Sequence, residues 1–175
     1  MSRRLHLPPL SDAAWPAEIA DMKQGFAGQL NVYRVMAHHP ALLAAWADLR
    51  EHVVRHSALG PVRAEVVILR AAHRLGSEYE WAHHVERGRA VGLDPARIER
   101  LAGPLAAIEG EDALLARAVD ALLDQHRLPG DIAADLAANL GKEAVLDLIA
   151  TVGFYSTLGY ILNTFSPPID AGPAP

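Results

Sequence analysis

The sequence predicts an all-α fold, on three observations. No run of alternating β-branched residues is long enough to make a strand. Alanine and leucine dominate the chain. Prolines and glycines punctuate it: Pro40, Pro61, Pro95 and Pro129 each precede an amphipathic run, and Gly60, Gly76, Gly92, Gly110 and Gly141 stand where such runs stop. Proline suits the first helical turn, where its missing N–H has no intrahelical acceptor, and glycine suits the residue just past the last turn.

The elements follow in chain order. Residues 1–10 read as an extended arm, and short helices are expected at Ala17–Gln24 and Leu30–Ala37. His38-His39 leads into a longer helix, Pro40–Ser57. Pro61–Leu75 and Ser77–Val91 flank Gly76, with Ser77 as N-cap and Glu80 three residues on, the spacing of a capping box. Pro95–Ala102, Glu111–Arg127, Gly130–Leu140 and Lys142–Phe165 complete the set, and a Pro-rich tail covers 166–175. The junction Leu75-Gly76-Ser77-Glu78 is faintly echoed by Leu140-Gly141-Lys142-Glu143. Apolar residues of Lys142–Phe165 wrap more than the usual ~100° stripe, so this helix needs cover on several sides. A homo-oligomer burying part of it, or of the helix that carries Trp46, is the expected remedy.

Composition narrows the function classes. At 175 residues the chain fits one domain, able to bury a core without disulfides or metal. Hydrophobic residues are 51% and charged residues 21%, a globular balance. The net charge of -5, with no basic run, makes a poor partner for nucleic acid or an anionic membrane. There are no cysteines, which removes disulfides, thiolate metal sites and any cysteine nucleophile. The most apolar stretch, Leu146–Leu162, is interrupted by Asp147, Gly153, Ser156 and Gly159, so no membrane span is expected. No apolar segment follows the charged N-terminus, which makes the cytoplasm the default expectation. No Walker loop, G-x-G-x-x-G or G-x-S-x-G is present, and no cofactor is expected.

Ionisable residues in unusual places carry the chemistry. Glu65 has Val62, Ile68, Leu69 and Ala72 as helical neighbours, and a carboxylate in an apolar stripe needs a partner or must reach water. Ser77, Glu80, Trp81, His84 and Gly88 fall on one face, and Glu80 and His84 are i, i+4 neighbours. A carboxylate beside an imidazole fixes its tautomer, raises its pKa and makes a proton-transfer unit near neutral pH. The plain alternative is an exposed helical pair worth ~0.3 kcal/mol. Glu80-x-x-His83 matches half of a di-iron motif whose second half is missing, and His52 and His56 share a face but HVVRH lacks the acid of a zinc-protease helix. Solvated histidines explain that pair, and no metal is expected.

The run from Glu65-Val-Val-Ile-Leu-Arg through Leu-Gly-Ser-Glu-Tyr-Glu-Trp-Ala-His-His-Val to Ala-Val-Gly-Leu resembles the central motif of the carboxymuconolactone decarboxylase family, within the AhpD-like superfamily. The likeness covers roughly residues 30–165 and includes Gly153-Phe-Tyr. It implies an AhpD-like helical bundle of antiparallel hairpins that assembles into homo-oligomers. In the peroxidase branch a Glu, a C-x-x-C pair and a His form a thiol relay. Here Glu65 and His84 fall at the relay Glu and His, while Ser77 and Glu80 occupy the cysteine positions. Without a thiolate neither peroxide attack nor disulfide exchange is open to this chain. The decarboxylase branch also lacks the cysteines and keeps a Glu four residues before the His.

The expectation is an acid–base enzyme acting on a small organic acid or lactone. His84 would donate or shuttle a proton, Glu80 would orient it, and Glu65 would pair with it from the facing helix. Tyr79, Trp81 and His83 would line the substrate side. A non-catalytic oligomer with Glu65 and His84 as a buried strut is the competing reading, and a non-thiol isomerase or hydrolase using the same pair is a third.

Overall fold

The computed structural model describes residues 5–170, and no strand occurs among them. Residues 1–4 of the expected arm and 171–175 of the expected tail lie outside the described residues. Nine α-helices occur in that span: α1 (Phe26–Gln29), α2 (Asn31–Met36), α3 (Pro40–Glu51), α4 (Gly60–Leu75), α5 (Glu78–Ala90), α6 (Pro95–Leu101), α7 (Gly110–Gln125), α8 (Gly130–Leu140) and α9 (Lys142–Phe165).

Three expectations need correction. Ala17–Gln24 is helical but winds as 3-10 turns, broken by the non-helical backbone of Ile19. Leu30 is the extended residue that starts α2 rather than part of it. Pro40–Ser57 is not one α-helix: the α pattern stops at Glu51 and continues as a π turn over His52–His56. That turn is tied to α9, where the Asp147 carboxylate accepts from His52 Nε2 at 2.7 Å and from the Ala58 N–H at 2.6 Å. Asp147, a mere interruption in the apolar run, is therefore an anchor. His56 faces Glu51 at 3.5 Å, so His52 and His56 each have a carboxylate partner of their own.

α4 is the central helix. Every position from Glu65 to Ala72 is buried, as expected for a helix covered on all sides. α5, α7 and α9 pack around it. On one side Val66, Val67 and Leu69 join Leu101, Leu115, Val119, Leu136, Leu148 and Val152 in one core. On the other, Ile68 joins a second core with Val32, Tyr33, Leu43, Tyr79, Phe154, Tyr155 and Leu158.

α9 corrects the membrane expectation in part. Its 24 residues, with mean hydropathy 1.6 over the most apolar window, are long and apolar enough to cross a bilayer by length and composition. Half of that window is buried within the bundle, where α9 packs against α4 and α8. Core helices meet the same length and composition criterion. Gly159 lets it approach closely, since a Cβ there would lie 3.3 Å from Leu75 Cδ1.

Two buried charges leave α4 in different directions. Arg70 forks onto Asp120 of α7 at 2.6 and 2.8 Å, and its remaining Nη1 donates to the carbonyls of Leu101 and Gly103. Arg74 adds a contact to Asp120 at 2.9 Å. With both ions buried and fully bonded, removing one strands the other. Asp120→Ala should lower stability by about 3–5 kcal/mol in chemical denaturation. A loss under about 1 kcal/mol, the range of a surface pair, would show that Arg70 finds water instead.

Candidate active site

Only Gly76 and Ser77 separate α4 from α5, so the two form an αα-hairpin with facing side chains. Gly76 ends α4 at φ 61, ψ 32, a left-handed conformation that side chains with a Cβ resist. Gly88 keeps the hairpin tight further along, because a Cβ there would lie 3.1 Å from Leu93 Cδ1 and 3.4 Å from Leu69 Cδ1. Ser77 Oγ caps α5 by accepting the Glu80 N–H at 3.5 Å. The other half of the capping box is not made. The Ser77 N–H donates to the Ala72 carbonyl at 2.9 Å, which leaves the Glu80 carboxylate to turn toward His84.

His84 sits between two carboxylates. Its Nδ1–H donates to Glu65 Oε2 at 2.7 Å, and its Nε2 lies 3.4 Å from Glu80 Oε2. The ring is 2% exposed, Glu80 5% and Glu65 9%. Tyr155 of α9 meets the ring edge-on, with centroids 5.0 Å apart and planes at 89°. Burial by itself works against a charged imidazole. The charges and hydrogen bonds of Glu65, and then of Glu80, outweigh it and push the His84 pKa up to about 9. Burial also pushes the Tyr33 hydroxyl up to about 12 and Tyr155 well above its ordinary value, so both phenols stay protonated at neutral pH.

Two spaces adjoin this trio. A cavity of about 20 Å³ lies on the Glu80 side, lined by His84, His83, Tyr79, Tyr33 and Arg50 among others. It has room for about one water or a group of similar size. A wider cleft of about 270 Å³ reaches Glu65 between Val53, Pro61, Ala64, Ile68, Ala90 and Val91. Val54, Arg87 and Tyr155 line both.

The expected residues are therefore only partly assembled. Glu65, Glu80 and His84 form one buried chain, and Tyr79 and His83 line the cavity beside it. His83 Nδ1–H donates to the Tyr79 carbonyl at 2.9 Å, so the two halves of Glu80-x-x-His83 face different partners. Trp81 stands apart. It is half-buried against the core that holds Val66 and Leu69, lines a separate cleft with Ala72, His73, Gly76 and Ala102, has its ring 6.2 Å from that of His73, and lines neither space beside His84. It follows Glu80 by one residue, about 100° further round the helix, which carries its large ring to the far flank. Among the described residues no group of three His, Asp or Glu side chains could hold a metal ion.

Four neighbours were not singled out from the sequence: Tyr33, Arg50, Tyr155 and Asp170. Asp170 crosses from the tail to accept the Asn31 N–H at 3.0 Å and the Tyr79 hydroxyl proton, and lies 3.5 Å from His83 Nε2. His83 Nε2 makes no hydrogen bond at that distance. Gly153-Phe-Tyr pointed at Tyr155 only as part of a longer likeness. The others reach the site by long-range packing that leaves no local period.

The raised His84 pKa has a signed consequence. Its pairing stabilises the fold fully below its ordinary pKa of 6.5 and is lost as pH rises through about 9. NMR titration of the ring should give a midpoint near 9, and Glu65→Gln should lower it by about one unit or more. A wild-type midpoint at or below the ordinary value would mean that burial, not the carboxylates, governs the ring.

A search among curated proteins found no match. A family model described as Carboxymuconolactone decarboxylase family matches residues 40–124. That region runs from the start of α3 into the last turn of α7 and holds Glu65, Glu80 and His84 on the hairpin that aligns them. Over that region, just short of half its length, the chain is similar to the carboxymuconolactone decarboxylase family.

Proposed function

We propose that the protein is an acid–base enzyme that decarboxylates, or otherwise moves a proton on, a small organic acid or lactone. The observation that carries this is a buried imidazole held between two carboxylates, with His84 and Glu80 lining a small cavity on the Nε2 side and Glu65 lining a cleft of about 270 Å³. Glu65, at 2.7 Å, is the tight partner that fixes the ring; Glu80, at 3.4 Å, is the looser one. This reverses the division of labour expected from i, i+4 spacing alone. In the decarboxylation, the bond to the carboxyl carbon breaks and carbon dioxide leaves. The electron pair stays on the substrate as an enolate next to a carbonyl. That carbon takes a proton from His84 Nε2, and the ring recovers one from solvent. Two carboxylates keep the ring charged beforehand, so the proton is in place when the carbanion forms.

The test is turnover by the full chain of small lactone acids and β-keto acids, followed as carbon dioxide release and solvent deuterium at the carbon left behind. His84→Gln should cost about 10²–10⁴ in kcat and leave thermal unfolding cooperative. The competing strut reading draws on the 2% exposure of His84. Absence of turnover and of deuterium incorporation, with His84→Gln changing only the melting temperature, would favour the strut.

The enzyme is also proposed to be a homo-oligomer. Leu146, 68% exposed, and Ile149, 41%, lie on one side of α9, while Leu42 and Leu49 are exposed on α3. Sedimentation equilibrium should give a mass above the 18.8 kDa of one chain; a single monomeric species at micromolar concentration would sink the proposal.

A further inference from the structure

We propose that Arg50 is the receptor for a carboxylate group of the ligand, bound in the small cavity beside Glu80 and His84. Arg50 lies in the last turn of α3 and is 4% exposed. Among the described residues no carboxylate comes within ion-pair distance of it, and its Nε has no hydrogen-bond partner. Its guanidinium lies 4.1 Å from the centre of the Phe26 ring and 5.8 Å from that of Tyr33. Aromatic faces and the end of a helix offer only partial negative charge.

A buried cation without a counter-ion is unusual, because burial removes the hydration that stabilised it. The other buried arginine, Arg70, shows what a structural arginine looks like here: a forked carboxylate and two carbonyls fill its donors. Arg50 differs in lining a cavity that Glu80, His84 and Tyr33 also line, and the neutral Tyr33 hydroxyl is its one side-chain hydrogen-bond partner among the described residues. A guanidinium fork matches a carboxylate in shape and charge. Bound there, the carboxylate sets the substrate beside His84, in a space that shares Val54, Arg87 and Tyr155 with the wider cleft. The inference rests on the proposed acid–base reading for its ligand class, but anion binding can be measured without any reaction.

The test is an NMR titration of the full chain that follows the Arg50 Nε–H resonance, with sodium formate as probe and sodium chloride at matched ionic strength as control. Formate should give a saturable shift that chloride does not, and Arg50→Lys should weaken formate binding about tenfold or more, as judged by ring and backbone signals around the cavity. Tyr33→Phe, which keeps the ring under Arg50, should weaken it less. His84→Gln should still bind formate, which separates the anion site from the chemistry. Saturable formate binding without turnover of any organic acid keeps this site and removes the acid–base reading. No formate-specific shift in the wild-type chain, or binding unchanged in a folded Arg50→Lys variant, overturns the anion site even if turnover is found.

Discussion

Three ionisable groups buried within one helical hairpin set the terms for the rest of the molecule. Glu65, His84 and Glu80 have all lost most of their water, and each would be costly alone. Together they form a chain in which a charged imidazole answers two carboxylates, so the hairpin must hold them at 2.7 and 3.4 Å. Many local details serve that requirement. The left-handed Gly76 makes the joint short, Gly88 lets α5 lie close to Leu69, and Ser77 takes over the cap so that Glu80 is free to face the ring. Tyr155 closes the remaining side with an aromatic edge.

α4 carries two such buried charges, and they differ in how fully the protein satisfies their partners. Arg70 meets Asp120 and two backbone carbonyls, and its donors are filled by protein. It clamps α4 to α7 and to the end of α6. Glu65 meets an imidazole whose other nitrogen is only loosely engaged, and both sit at the edge of open space. A fully satisfied network adds rigidity. A network with a loose member next to a cavity can exchange a proton with something placed there.

The N-terminal segment and the tail shape the space around this chain. Leu30, Val32 and Tyr33 form one wall of the small cavity, and Asp170 returns from beyond α9 to bond Asn31 and Tyr79. Neither segment is covered by the match to residues 40–124. The buried trio of Glu65, Glu80 and His84 thus lies in the matched region, while part of the wall around it is built from residues on both sides of that region.

The sequence by itself determined the helical architecture, most helix limits and the trio. Proline and glycine act through the backbone of their own turn, so their signals are local. Gly130–Leu140 and Lys142–Phe165 coincide with α8 and α9. Glu65 and His84 were legible because a carboxylate in an apolar stripe and an i, i+4 pair on a facing helix are local patterns, and a two-residue joint leaves few ways to bring them together. Tertiary structure alone decided what those patterns could not encode. The π turn at His52–His56 is tied to Asp147, which is distant in sequence. Trp81 lies on the flank that its helical position dictates, but which residues meet it there was set by packing. Burial of Arg50 under Phe26, and the arrival of Asp170 at Tyr79, follow from how separate segments meet. Such contacts have no period along the chain, so no spacing announces them.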